Sequence, residues 1–416
     1  MKLLKKTCLL PAFILLLTTL VACAGGSNTN PNELVVGIWG GNDAESAGMA
    51  QLKADFESQN PGITLTYRLY TDYNTQIQAD MISGTAPDVF YVDASFFPFF
   101  DSIGVLEALD KQAVGADAFY DNLINTFVGA SGDLYAIPKD FSTLAIYVNT
   151  DLLSDAGMTS SDIPTSWEDL VTFLPELQQK LDDKYGKDAV AAMTYNLELP
   201  RNLHLLTRDG AQTIDADGRA TLDNSGVVDN FKIIMDLTGT GAYKRPSDLG
   251  LGWNGEAFGT GKTVIMDEGN WVYGTLNSDY SDINFEVLAM PSYKGETSSM
   301  LFTVGYGIYS QSNKKDLALK WIQFATGVDG MASWTTAAGV LPSRQDVADK
   351  IDVADDPNLQ MHLDQVQHAM PWEMGQYASI INDQYKNFMP SAVIDRSISA
   401  QEALTQATEQ SNFQIG

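Results

Sequence analysis

An α/β chain of two lobes is predicted by three features. The 416 residues exceed what one core organises, because single cores stop growing near roughly 250–300 residues. Near-continuous apolar runs of strand length, Leu34-Val35-Val36-Gly37-Ile38-Trp39 first among them, read as strands buried on both faces of a parallel sheet. Segments with helical spacing follow such runs, and strand alternating with helix folds into layers through right-handed crossovers.

Residues 1–22 read as an export signal. Lys2, Lys5 and Lys6 precede an apolar run, residues 9–21, that Pro11 interrupts. That run is too short for a bilayer, which takes about 20 apolar residues. It ends in Leu20-Val21-Ala22-Cys23, which resembles the lipobox of bacterial lipoproteins, with Cys23 as the lipidated residue. The competing reading is an ordinary signal with an incidental cysteine. Residues 23–32, rich in Gly, Ser, Asn, Thr and Pro, read as a flexible tether.

After the first strand, Met49, Leu52 and Phe56 recur at helical spacing, and Asn60-Pro61-Gly62 stops that helix before a strand over 63–69. Tyr73, Ile77 and Met81 mark a second helix closed by Gly84, and 88–92 is the next strand. Ser166 with Asp169 three residues on has capping-box spacing and opens a helix carrying Leu170, Phe173 and Leu177. Asp215-Ala216-Asp217-Gly218 predicts a hairpin turn; a calcium loop would need its glycine two positions later. Strands over 263–266 and 304–309 follow, then a helix capped by Asn313 with Leu317, Trp321 and Phe324 on one face and Gly327 beyond it. Ser399 with Glu402 opens the last helix.

Composition removes several functions. Against 25 Lys plus Arg stand 53 Asp plus Glu, a formal charge of −28, so a nucleic acid partner is not expected. With Cys8 lost in the signal and Cys23 lipidated, no thiol remains for disulfides, metal sites or nucleophilic catalysis. His204, His362 and His368 have no metal-ligand spacing, so no metal and no cofactor is expected. No G-x-S-x-G elbow occurs. Gly259-Thr260-Gly261-Lys262-Thr263 ends like a phosphate loop, but Glu256 stands where its first glycine belongs.

What remains is aromatic and carboxylate or carboxamide side chains at loop positions. Sugar rings offer an apolar C–H face that suits aromatic rings and an equator of hydroxyls that suits Asp, Glu, Asn, Gln and Arg. Open α/β sheets bind ligands beyond the carboxyl ends of their strands. Trp39 ends the first strand, Asp93 follows the strand over 88–92, and Asp267 to Trp271 follow the strand over 263–266. Trp39, Trp271, Trp253 and Trp372 either meet a ligand or pack in a core, and Asp93 either meets a ligand or shapes its loop. Trp167 and Trp321 fall on amphipathic helices and are expected in the core; Trp334 stays open.

Gly132-Asp133-Leu134-Tyr135-Ala136-Ile137-Pro138, continuing to Ile146-Tyr147-Val148-Asn149-Thr150-Asp151-Leu152-Leu153, resembles the signature of extracellular solute-binding proteins of bacterial ABC sugar importers, the group containing maltose-binding protein. Gly84-Thr85-Ala86-Pro87-Asp88, Ala257-Phe258-Gly259-Thr260-Gly261-Lys262, Gly269-Asn270-Trp271 and Gly339-Val340-Leu341-Pro342-Ser343 follow in family order. The resemblance implies a two-lobe periplasmic-binding-protein-like (type II) α/β fold, with hinge-crossing segments near 140–143, 302–305 and 338–343 and a ligand cleft between the lobes. It implies an amino-terminal lobe of 33–142 plus 304–342 and a carboxyl-terminal lobe of 143–303 plus 343–416. It places Trp271 at the stacking-tryptophan position, Asp140 in a crossing segment, and Arg201, with Glu198 and Asn202, near another contact region that it does not match residue by residue. Val92-Asp93-Ala94 stands where maltose-binding protein has a tryptophan, so a maltose preference is not implied.

The expected protein is therefore a monomeric receptor, lipid-anchored on the outer face of the cell membrane. It captures a mono- or oligosaccharide, delivers it to ABC permease subunits and performs no covalent chemistry. Its rivals are a cell-surface glycoside hydrolase, for which two carboxyl groups about 5–10 Å apart would be needed, and an importer receptor for a non-sugar solute.

Overall fold

Residues 30–416 are described by a computed structural model; the signal segment and Cys23 lie outside the described residues. The last residues of the expected tether form a turn, in which Glu33 N donates to Asn30 O at 3.2 Å. Among the described residues ten strands follow: β1 (Glu33–Trp39), β2 (Thr64–Tyr70), β3 (Val89–Asp93), β4 (Ala136–Asn149), β5 (Ala191–Thr194), β6 (Tyr243–Lys244), β7 (Thr263–Gly269), β8 (Phe285–Leu288), β9 (Ser299–Ile308) and β10 (Ala369–Pro371). Their order is β2-β1-β3-β9-β4-β7-β5-β6, with β10 on β9 and β8 on β4.

The amino-terminal layers form for the reasons the pattern gave. Leu34 to Ile38 are buried, as a central parallel strand requires. Asn42 caps the helix Asp43–Gln59, its Oδ1 accepting from Glu45 N at 2.8 Å, and that helix buries Met49, Leu52 and Phe56. Gly84 closes the helix Tyr73–Ser83 at φ 72°, a conformation that costs glycine little. Ser166 and Ser399 cap Trp167–Tyr185 and Ala400–Ile415 as their spacing predicts. Asn313 caps nothing: the helix is Lys315–Ala325 and Lys314 holds the cap position. There Ser312 Oγ accepts from Lys314 N at 3.1 Å, so the serine two residues earlier organises the entry instead.

Two large cores share no buried residue. One joins β1, β3 and the helices through Phe56, Ile77, Trp321 and Met331. The other joins the second half of β4 to the carboxyl-terminal helices through Trp167, Phe231, Tyr385 and Leu404. β4 links them: Ala136 to Thr143 pair with β9, whereas Leu144 to Val148 pair with β7. β9 begins earlier than expected, at Ser299, because Ser299 to Leu301 pair with β10 and β4 joins from Leu301 onward. A further crossing lies beside them, Phe141 N donating to Leu341 O at 2.9 Å. Beyond it, Val347 still belongs to the amino-terminal core and Ser343 Oγ donates to Pro138 O at 2.6 Å. Among the described residues no helix is long and apolar enough to cross a membrane.

Candidate ligand-binding cleft

A cavity of about 280 Å³ opens where the two cores meet, beyond the carboxyl ends of β1 and β3. Trp39, Glu45, Asp93, Lys139, Asp140, Ser142, Trp271 and Phe302 line it, with Val304 and Val340. The cavities of about 390, 410 and 480 Å³ elsewhere enclose more space, but none touches the ends of β1 and β3.

Each side chain arrives by a local cause. Trp39 is the last residue of β1, and its ring meets Tyr73 at 5.1 Å and Tyr91 at 4.8 Å, both edge to face. Glu45 stands in the first turn of the helix that Asn42 caps. Asp93 ends β3 and turns its own loop, Oδ1 accepting from Ser95 N at 2.8 Å. Burial raises the Asp93 carboxyl above the usual range, against the bonds from Ser95. Burial likewise raises Glu45, with Lys139 opposing and Asp140 adding to the shift.

The floor is built by a bulge. Gly305 of β9 faces Pro138 and Val304 faces Asp140, so Lys139 is the extra residue of β4. A bulge re-aims a side chain, and here it sends Lys139 over the rings of Trp334, at 4.3 Å, and Tyr91, at 5.0 Å. Lys139 Nζ pairs with Asp140 Oδ2, and Trp334 Nε1 donates to that same oxygen at 2.6 Å. On the other side Trp271 opens the helix Trp271–Asp279, meets Phe302 edge to face at 5.4 Å, and packs against the margins of both large cores. The cavity thus combines two indoles with carboxylate, ammonium and hydroxyl groups, a set that suits a ligand with an apolar face and several hydrogen-bonding groups.

A family model for bacterial extracellular solute-binding proteins matches residues 51–361, most of the chain. The chain belongs to this family. Among solved structures, the solute-binding protein resembles the GacH receptor of Streptomyces glaucescens, determined unliganded and with acarbose, with TM-score 0.77, 22% identity and coverage of 91% of this chain and 97% of that one. An ABC substrate-binding protein from Listeria monocytogenes, solved with cycloalternan, gives TM-score 0.78 at 19% identity over 92% and 99%. These likenesses show the two-lobe fold. Among curated relatives, the arabinooligosaccharide-binding protein of Halalkalibacterium halodurans is 23% identical over 372 residues, 83% of this chain and 80% of the relative.

Within this solute-binding protein, Trp39, Asp93, Asp140 and Trp271 converge on one cavity. Arg201 does not line it but lies beside Trp271, its guanidinium 4.9 Å from the indole centroid. Asp267 sits inside β7 rather than after it, because the strand runs to Gly269 to pair with β4, Ile146 facing Asp267. It is 3% exposed, and its Oδ1 has no hydrogen-bond partner among the described residues. Burial carries its pKa up to about 8, with Arg201 opposing and Glu268 adding. Trp253 stands apart, partly exposed and folded over Gly255, where a Cβ would come within 2.1 Å of the indole. Trp372 belongs to the carboxyl-terminal core, held by its N–H donating to Leu301 O at 2.9 Å. Glu45 and Lys139 escaped the sequence reading, whereas Ser142 and Phe302 fall in the expected crossing segments without having been singled out as site residues. For Glu45 the loop Trp39-Gly40-Gly41 leading into a capped helix was an available signal; for Lys139 the bulge left none.

Proposed function

We propose that the protein captures a carbohydrate between its two lobes and delivers it to an ABC permease. The observation that carries this reading is the cavity at the meeting of the lobes, where Trp39 and Trp271 stand with Glu45, Asp93, Lys139, Asp140 and Ser142. Indole faces take the C–H side of a pyranose or furanose ring, and charged side chains take its hydroxyls. The proposal divides the chain into lobes at the change of pairing in β4, Thr143 to Leu144. A sugar touching both lobes favours the closed arrangement by its differential affinity, and the closed form docks on the permease. Relatives and structural neighbours whose names record saccharides support the sugar class. Binding without chemistry fits a family of binding proteins. Cys23 is proposed as the lipid attachment on the outer face of the membrane: mass spectrometry of the mature wild-type chain should find a lipid adduct on Cys23, and a Cys23 free of lipid would refute the anchor.

Calorimetric titration against a panel of mono- and oligosaccharides tests the reading. At least one saccharide should bind, and Trp271→Ala should weaken it by about 10- to 100-fold, the effect of removing a central aromatic contact. A wild-type chain indifferent to every saccharide overturns the sugar assignment; unchanged affinity in the variant removes Trp271 from the site.

A further inference from the structure

We infer that Arg201 is a positioning residue, which serves capture by fixing the Trp271 indole and does not itself touch the ligand. The inference rests on the proposed reading of Trp271 as the platform for a sugar ring. The guanidinium carbon lies 4.9 Å from the indole centroid, while Arg201 is absent from the cavity wall that Trp271 helps to form. Arg201 is itself held. Its Nη1 donates to Glu268 Oε1, the two side chains being 13% and 1% exposed, and the same Oε1 accepts from Gly269 N at 3.1 Å.

Glu268 is fastened in turn by the ladder of β7, where it faces Ala145 of β4. A continuous line therefore runs from the lobe-crossing strand through Glu268 to Arg201 and so to the indole. The neighbouring Asp267, its pKa raised to about 8 by burial, attracts the same guanidinium only where it is ionised, above that pH. The indole has two other supports: it lies against Gly269, where a Cβ would come within 2.3 Å of the ring, and it meets Phe302 edge-on. A planar, delocalised guanidinium stacks on an aromatic ring and holds a carboxylate at once, which a lysine ammonium does not reproduce.

The test uses the full chain labelled with 5-fluorotryptophan, the Trp271 ¹⁹F resonance being assigned by its loss in Trp271→Phe. In ligand-free Arg201→Met that resonance should shift or broaden while the other tryptophan resonances hold; the melting temperature should fall, because the buried Glu268 loses its partner. Affinity for the saccharide found by the panel should fall about tenfold. An unmoved Trp271 resonance with weakened binding means direct contact of Arg201 with the ligand and overturns the inference. A moved resonance with unchanged affinity overturns it as well. As a control for that loss of stability, Arg201→Lys, which keeps the charge and loses the plane, is read by the same criteria. The ¹⁹F result needs no ligand, so a failure of the sugar assignment remains distinguishable from a failure of the positioning role.

Discussion

Asp267 and Glu268 are neighbours on one strand, yet they meet opposite conditions. Glu268 finds a guanidinium and a backbone N–H; Asp267 keeps an oxygen with no hydrogen-bond partner among the described residues and has its pKa raised to about 8 by burial. A carboxyl raised in the folded state contributes stability that is complete below its unfolded pKa, about 3.9. That contribution is lost as pH rises through about 8. The wild-type melting temperature should therefore fall between pH 6 and 9 relative to that of Asp267→Asn; parallel melting curves would contradict the shift. The buried histidines act in reverse. Burial lowers His204 and His362 to about 3, so their contribution is complete above the unfolded value of about 6.5 and is lost as pH falls toward 3. At this scale the sequence was legible where a strand end fixes the position, as for Trp39, Asp93 and Trp271. It was not legible for Trp372, whose proline-flanked segment looks like a loop and whose burial depends on helices distant in the chain.

Among the elements, β4 does most to shape the cleft, since one strand pairs in both lobes and its bulge supplies Lys139. Its family signature was plain in the sequence, whereas its register, which decides that Lys139 is the extra residue, depends on β9 more than 150 positions away. The full length of β7 was hidden for the same reason: its last three residues are strand only because β4 pairs with them. The helix Trp271–Asp279 carries a second consequence. A Cβ on Gly274 would stand 2.7 Å from Ala338 O and 3.3 Å from Ala44 Cβ, so this helix meets the amino-terminal layers without room for a side chain. Gly274→Val should hold the lobes apart and weaken saccharide binding by about tenfold, a loss of roughly 1.4 kcal/mol, without altering any cavity residue. Small-angle scattering should give a larger radius of gyration for the variant in the presence of saccharide; identical radii and affinities would show that the close approach has no part in closure.

Over the whole molecule, length and strand–helix alternation were enough to predict an α/β chain of two lobes, and the two separate cores follow from that. What pattern does not carry is how the lobes face each other, because that depends on three crossings whose partners are far apart in the chain. On the proposed function a saccharide is held by both lobes at once, which hydrogen–deuterium exchange with and without a bound saccharide can measure. Protection should rise together around residues 39–45, 93–95, 139–142 and 271–276, which come from both sides of the cavity; protection confined to one lobe, or none at all, would contradict the account.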